Sequence, residues 1–498
     1  MTSLIKIMQC KHSTLWYSMR GLAAVYLIAF CSFWVQMDGL IGSNGILPAP
    51  IRFSRLANNT SYFDFPSLLL FIPSDLGLHL LCAVGCVSAI FLLLDLLSPL
   101  SAIMAWAIYL SLIHAGQVFM SFQWDVLLVE YGFLSIWVCL WLICSDSKSI
   151  LSKICEKLIF ISITLLVFKL MFSSGVVKIF GGGTWLDLTA LKYHFFTQPI
   201  PGPLSSWFHH LPDSMLTFAC ASTFYLELLV PLALLIPSKS FRHMAAIQLI
   251  GLQILFMLSG NFAFFNLLSI VIMIPLVSLK SSTNNYCSSP KIMLFTSLSK
   301  TIFLTIILAL IFLSLTNLKI TWSTCKLANL LPIAISKEIN RFMDSTSHLQ
   351  KIIKPFLIAN SYGLFASMTT QRQEIQIQAS MDGKTWENYE FKYKLNSVNQ
   401  SLRQVAPHQP RLDWQMWFAA LRGDFPNRGW LPNFILRLLQ GEKAVTNLLK
   451  SSPFKERPKF IRAILIWYEF ENPNSTKNIW KIINKKVFLT PVERKLRK

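Results

Sequence analysis

The sequence predicts a polytopic α-helical membrane bundle of about nine spans, followed by a C-terminal extracytosolic β-rich α+β domain. Three observations carry that expectation. Of 498 residues, 53% are apolar and only 14% are charged, with a mean hydropathy of +0.50, where a soluble chain is about 25% charged. The apolar residues gather in runs long enough to cross a bilayer. Beyond Trp322 the pattern changes to period-two alternation. A cytosolic enzyme and a disordered chain are excluded together.

Apolar runs lie near 16–36, 77–97, 100–117, 125–144, 157–177, 214–236, 242–259, 262–279 and 296–316. At about 20 apolar residues per crossing, each is a candidate helix of a bundle occupying 1–320. The first run follows Lys6, Lys11 and Arg20 and lacks a small-x-small cleavage site, which reads as a retained signal-anchor. With the amino end cytosolic, the loops bearing Lys148, Lys153 and Lys157, then Lys239 and Arg242, then Lys280 and Lys291 all face the cytosol. Asp38 to Asp75, the Gly/Pro-rich loop at 181–213 and the turn from Ser259 to Phe262 fall on the opposite, cation-poor side, as the positive-inside rule requires. An uneven number of crossings then carries a connector at 321–349 and a domain at 350–498 out of the cytosol. In a eukaryotic host that places the domain in the endoplasmic reticulum lumen; in a bacterium it lies outside the inner membrane.

The formal charge of +21 comes from 45 Lys and Arg against 24 Asp and Glu. From Gln350 to Lys498 there are 25 basic and 11 acidic residues, a net of +14. A nucleic-acid reader would interleave its cations on one soluble face, so membrane lipid or an acidic protein surface is the expected partner, and no nucleic acid. Long domains translocate whatever their own charge. Four Asn-x-Ser/Thr sites, at Asn58, Asn59, Asn399 and Asn474, fall on the outer side. Ten cysteines sit almost entirely in spans or cytosolic loops, and none lies between Lys326 and Lys498, which argues against a disulfide-stapled outer domain. Cys82 and Cys86 share a helix face as small packing residues.

An ionisable side chain in hydrocarbon costs about 2.5–3.5 kcal/mol, so each should face inward with a partner. Glu130, Lys169 and Glu227 form the expected buried polar core, with Lys169 pairing Glu227 and Glu130 sharing the site. His114, Gln117, Gln123, Trp124 and Asp125 cluster where the third run meets the fourth. Some seven residues separate those runs, so the connection is a tight turn or interfacial re-entrant, and a structural lid is the favoured reading over a reactive site. The loop running through Gly181-Gly182-Gly183-Thr184-Trp185 to Gln198-Pro199-Ile200-Pro201-Gly202-Pro203 is too long for a simple connector. It lacks the Lys-Ser/Thr of a phosphate loop. His194, His209 and His210 lack metal-ligand spacing, and no metal or cofactor is implied.

In the outer domain, Glu374 to Ala379 alternates polar with apolar, Asp382-Gly383 supplies a turn and Trp386 to Tyr393 alternates again, the pattern of a β-hairpin. Pro432 to Leu449 has helical periodicity, Phe460 to Phe470 reads as strand or short helix, and the basic tail from Lys477 has no assigned structure. No triad or nucleophile elbow appears around Asp413-Trp414-Gln415-Met416-Trp417.

Four strings resemble the lipase maturation factor family: Gly116 to Asp125, Thr184 to Leu191 with Thr197-Gln198-Pro199, Asn360 to Phe365, and Val405 to Trp417. The resemblance runs from about the third span to Phe470; Gly181-Gly182-Gly183 departs from the family's Gly-Asp-Pro-like turn. It implies a multi-span protein, in animals of the endoplasmic reticulum, that helps secreted lipases fold and assemble, with the outer domain engaging the client. No catalytic residue carries over. Tyr362, His408, Asp413, Trp414 and Trp417 are then candidate client-facing residues. The competing expectation is an integral membrane enzyme that modifies secreted proteins or lipids, its bundle similar to the vitamin K-dependent carboxylase type and Lys169, His114 or His194 its acid/base group. Transport ranks third, since neither an internal repeat nor paired broken helices mark the sequence.

Overall fold

The computed structural model describes residues 14–56, 61–144, 150–277, 304–309, 311–312, 341, 347–471 and 478–494. Among these, seven helices are long and apolar enough to cross a membrane. They include α1 (Thr14–Ile41), α2 (Asp75–Leu93), α3 (Ser98–Gly116, tightening into a 3-10 turn to Met120), α4 (Gln123–Cys144) and α5 (Ile150–Gly181). A short α6 (Ala190–Thr197) lies in the outer loop. The sixth span begins as α7 (Asp213–Phe224) and runs to Leu234 through a π-helical turn, and the seventh is α8 (Lys239–Ser259). The π turn, Tyr225–Leu229, precedes Pro231, whose ring clashes with the carbonyl four residues back; the ladder widens there, and the Val230 N–H donates to the Tyr225 carbonyl instead.

The eighth expected run is a shorter apolar helix, Phe265–Leu276, beginning with α9 (Phe265–Met273). It starts late because Gly260 to Phe264 are spent on a turn in which Gly260 bridges to Pro201. Almost all of α9 is buried against α1, α5 and α8, so protein and not lipid surrounds it. Of the ninth run, near 296–316, residues 304–309 and 311–312 are described, as helix; the rest of it, the three sequons at Asn58, Asn59 and Asn474, the loop lysines Lys148, Lys280 and Lys291, and nearly all of the 321–349 connector lie outside the described residues. At 32 residues α5 is about 48 Å long, half as long again as a hydrocarbon core of about 30 Å.

Polarity along the bundle follows from end contacts. Thr14 Oγ1 donates to the Pro275 carbonyl (3.4 Å) and Ser18 Oγ to the Val271 carbonyl (2.6 Å), so the close of the Phe265–Leu276 helix shares an end with the start of α1. The C-terminal residues assemble at the other end: Gly39 packs against Ala444 and Leu448, and Ser367 Oγ donates to the Gly181 carbonyl.

The C-terminal domain, expected from the sequence to be the outer one and hence called the outer domain, is built on a four-stranded antiparallel sheet ordered β2-β1-β5-β6, with β1 Arg372–Ser380, β2 Glu387–Asn388, β5 Phe460–Phe470 and β6 Trp480–Glu493. A two-stranded pair joins β3 Glu390–Phe391 to β4 Leu449–Ser451. Strand β1 pairs with β5 along its whole length, from Arg372 opposite Tyr468 to Ser380 opposite Phe460. Its alternation buries Ile375, Ile377 and Ala379 under α10 (Arg411–Leu421), while α11 (Trp430–Leu439) packs on β5. The expected hairpin is present but brief. Its second arm pairs at only two positions, Gln378 with Asn388 and Ala379 with Glu387, because Tyr389 and Phe391 turn inward and β3 leaves to join β4. Phe460 to Phe470 is strand, and the unassigned tail from Lys477 supplies the 14-residue β6.

Candidate functional site

The polar groups that the sequence places at membrane depth converge on the seam between bundle and outer domain. Asp125 stands in the first turn of α4, where the positive end of the helix favours a carboxylate. Arg411, the first residue of α10, meets it with both terminal nitrogens at 2.8 Å. The same guanidinium donates to the Phe119 carbonyl at 2.7 Å, and Tyr109 of α3 donates its hydroxyl to Asp125 at 2.5 Å. Asp125 and Arg411 are both fully buried. On α1, Ser32 and Gln36 are one turn apart and grip the approach to Arg411. The Gln409 N–H donates to Ser32 Oγ (2.9 Å), Gln36 Nε2 donates to the Gln409 carbonyl (2.8 Å), and the Arg411 N–H donates to Gln36 Oε1 (2.9 Å).

One turn along α4 from Asp125, Glu130 accepts Lys169 Nζ at 2.5 Å on one oxygen. Its other oxygen accepts the Asn360 N–H and Nδ2 at 3.0 Å each and the Tyr362 hydroxyl at 2.6 Å. Glu227 pairs with Lys178 at 2.6 Å, not with Lys169. The expected Lys169–Glu227 pair is therefore corrected. The apolar run at 157–177 stops one residue short of Lys178, but α5 continues to Gly181, so a second lysine enters the bundle and each carboxylate takes its own cation. All four side chains are buried.

The remaining interfacial residues join the same seam. His114 Nε2 donates to the Pro355 carbonyl (2.8 Å), while Gln123 exchanges two hydrogen bonds with the Gly363 backbone (3.1 and 3.2 Å). Trp124 sits 4.9 Å from Trp414 and 4.8 Å from Phe122, ring centre to ring centre. Gln117 is half-buried and starts the 3-10 turn in the left-handed region, φ 52°.

The outer loop is tied into both bodies. Arg372 of β1 donates to the carbonyls of Phe196, Gln198 and Pro199 (2.8, 2.6 and 3.1 Å) and to Glu374 at 2.6 Å, and Lys394 closes on Glu374 at 3.0 Å. Asn261, in the turn before α9, donates to the Arg403 carbonyl (2.8 Å) and accepts from the Val405 and Ala406 N–H groups (2.7 and 2.9 Å). Truncating Asn261 to alanine leaves one backbone carbonyl and two N–H groups without their partner at a part-buried seam. The expected loss is about 1–3 kcal/mol, measurable as a lowered thermal midpoint of the purified chain, because three hydrogen bonds of about 0.5–1.5 kcal/mol each are lost where water reaches the freed groups only in part. An unchanged midpoint would mean that the turn does not hold the outer domain.

The five candidate client-facing residues lie elsewhere than expected. Tyr362, Asp413 and Trp414 are buried, and Trp417 is half-buried with its Nε1 donating to the Thr197 carbonyl at 2.8 Å. His408 is half-buried against α1, its Nδ1 2.9 Å from Ser32 Oγ. Tyr362, His408 and Trp414 face the bundle, on Glu130, Ser32 and Trp124, whereas Trp417 turns to the 181–213 loop and Asp413 into its own domain. Asp413 Oδ1 accepts the Tyr393 and Lys394 N–H groups at 3.0 and 2.8 Å, yet burial pushes its carboxyl up to about 6. Burial, with Arg411 and Lys392 nearby, pushes His408 down to about 4.

These two groups oppose each other across one pH window. A buried carboxyl with a raised value weakens the fold as pH rises from about 4 to about 6, while a depressed histidine weakens it as pH falls from about 6.5 to about 4. D413N should therefore make stability fall more steeply on acidification, and H408Q should make it rise, when thermal midpoints are compared at pH 4 and pH 7. Parallel profiles for both variants and the parent would refute the assignment.

Sequence reasoning missed Arg411, Lys178, Tyr109, Asn360, Arg372 and Asn261. One signal was present: Asp125, Glu130 and Glu227 all lie within apolar stretches, and the lysines buried beside them on α5 are only Lys169 and Lys178, so the third carboxylate takes its cation from elsewhere. Among the described residues, no group of three or more His, Cys, Asp or Glu side chains is placed to hold a metal.

Residues 14–284 match the lipase maturation factor transmembrane domain, and residues 358–489 match the lipase maturation factor C-terminal domain. Among individual proteins, lipase maturation factor 2 of Rattus norvegicus is 33% identical over 93% of this chain and 80% of its own length. Lipase maturation factor 2 of Homo sapiens is 31% identical with the same coverage, and lipase maturation factor 1 of Mus musculus is 28% identical over 93% of this chain and 84% of its length. No solved structure matches the chain.

Proposed function

The chain belongs to the lipase maturation factor family, and from that membership we propose that it is a multi-pass membrane factor that helps secreted lipases reach their folded, assembled state. In this reading the amino end is cytosolic, the outer domain lies in the endoplasmic reticulum lumen, and newly exported lipase chains meet it there. The seam geometry is the observation that carries the mechanism. Arg411 on Asp125, with Asn360 and Tyr362 on Glu130, fixes the outer domain to one end of the bundle through one buried charge pair and hydrogen bonds to a second carboxylate, so the two act as one rigid platform. A platform of that kind holds a client by surface contact and keeps its own polar groups for internal structure. The charges support the orientation, since Lys153 and Lys157 at the start of α5 and Lys239 and Arg242 at the start of α8 lie at the opposite end from the outer domain.

A membrane enzyme would need a reactive group with spare valence. Lys169 is closed on a carboxylate, His114 on a backbone carbonyl, and His194 is buried among the rings of Phe195, Phe262 and Phe365, which favours the binding reading. The test is complementation. In animal cells stripped of their own maturation factor, expression of the full chain is expected to restore secretion of active lipase. A chain that reaches the membrane in normal amount and restores none would overturn the proposal.

A further inference from the structure

Of the four Asn-x-Ser/Thr sites, Asn399-Gln400-Ser401 lies on the described outer domain, in the loop that leads from β3 toward α10. That loop is held by its own amides. Asn396 accepts the Phe391 N–H (2.9 Å) and donates to the Phe391 carbonyl (2.8 Å). Gln400 accepts the Asn396 N–H (2.7 Å) and donates to the Lys394 carbonyl (2.9 Å). The Val398 carbonyl anchors the far side by accepting the Trp480 N–H at 3.1 Å. Asn399 and Ser401 differ from these neighbours: both are exposed, and neither side chain enters the hydrogen bonds that fix the loop among the described residues.

We propose that Asn399 is a site of N-linked glycosylation, an inference that rests on the outer domain facing a secretory lumen. The Asn399 carboxamide nitrogen would attack the anomeric carbon of a lipid-pyrophosphate-linked oligosaccharide presented by the host's membrane transferase. A carbon–nitrogen bond forms as the carbon–oxygen bond to pyrophosphate breaks; the lipid pyrophosphate leaves with the electron pair, and the amide proton passes to the transferase's base. Three features suit this position. The hydroxyl of Ser401 that the transferase must read is exposed, the acceptor amide projects from a fixed turn with room for a bulky polar adduct, and the fold surrenders nothing when the amide is consumed. By contrast Asn261, Asn266 and Asn360 are each committed to internal hydrogen bonds. The glycan would also keep this face of the outer domain hydrated, which directs client contact to other faces.

The experiment uses the full chain in an animal secretory host with Asn58, Asn59 and Asn474 each replaced by glutamine. A band that shifts on treatment with peptide N-glycosidase is expected, lost in both N399Q and S401A and retained in S401T. N399Q and S401A should unfold at the same temperature as the deglycosylated parent. A control chain with N399Q carries D382N and K384T together, which writes a sequon into the exposed β1–β2 turn. If the control is modified but the Asn399 chain is not, this inference fails and the lumenal placement stands. If neither is modified, the placement fails with it.

Discussion

Replacing Arg411 with leucine is expected to cost about 3–5 kcal/mol of stability, because it leaves Asp125 charged and unpaired at a position with no exposure to solvent. Arg411→Lys should recover little of the loss: an ammonium cannot span both carboxylate oxygens and still donate to the Phe119 carbonyl, which the guanidinium does at once. The double variant R411L/D125L should be more stable than R411L alone, since it removes the stranded charge. A double-mutant cycle on thermal unfolding in lipid nanodiscs reads this coupling directly. Additive losses would mean that the ion pair does not join the two parts. Limited proteolysis should also clip the outer domain from the R411L bundle faster than from the parent.

The second large effect separates two pairings of the membrane charges. K169M is expected to lose about 3–5 kcal/mol by stranding Glu130. Adding E130Q should restore more than half of that, since a neutral amide removes the uncompensated charge and its oxygen still accepts from Asn360 or Tyr362. Adding E227Q to K169M should restore nothing and cost more, because Lys178 then loses its own partner. The reverse ranking, with E227Q rescuing and E130Q not, would reinstate the Lys169–Glu227 pair and contradict the seam described here.

The bundle was legible because hydrocarbon imposes a single rule: long apolar runs must be helices with their backbone bonds satisfied internally. Glu130, Lys169 and Glu227 were legible as buried for the same reason. Their pairing was not, since the apolar run closes at 177, and Lys178 lies one residue past that limit while still inside α5. Tyr362, Asp413 and Trp414 looked like anchors for a partner. An aromatic stripe on an amphipathic helix reads identically whether it covers a partner or the chain's own bundle, and only the tertiary seam decides. Arg411 stood within a string that already pointed to the family, but its partner lies 286 residues away, beyond any local pattern. The strand β6 was hidden by its charge: Lys481, Lys485 and Lys486 mark a solvated sheet edge, which composition alone does not separate from an unstructured tail.

All of this depends on the outer domain standing across the bilayer from the start of α1. The stretch from Lys326 to Lys498 has no cysteine, so K384C, at an exposed position in the β1–β2 turn, introduces a single thiol there. In sealed microsomes a membrane-impermeant maleimide should leave K384C unlabelled above the parent background, and should label it fully once the membrane is permeabilised. Labelling of K384C in intact microsomes would put the outer domain in the cytosol and contradict the account.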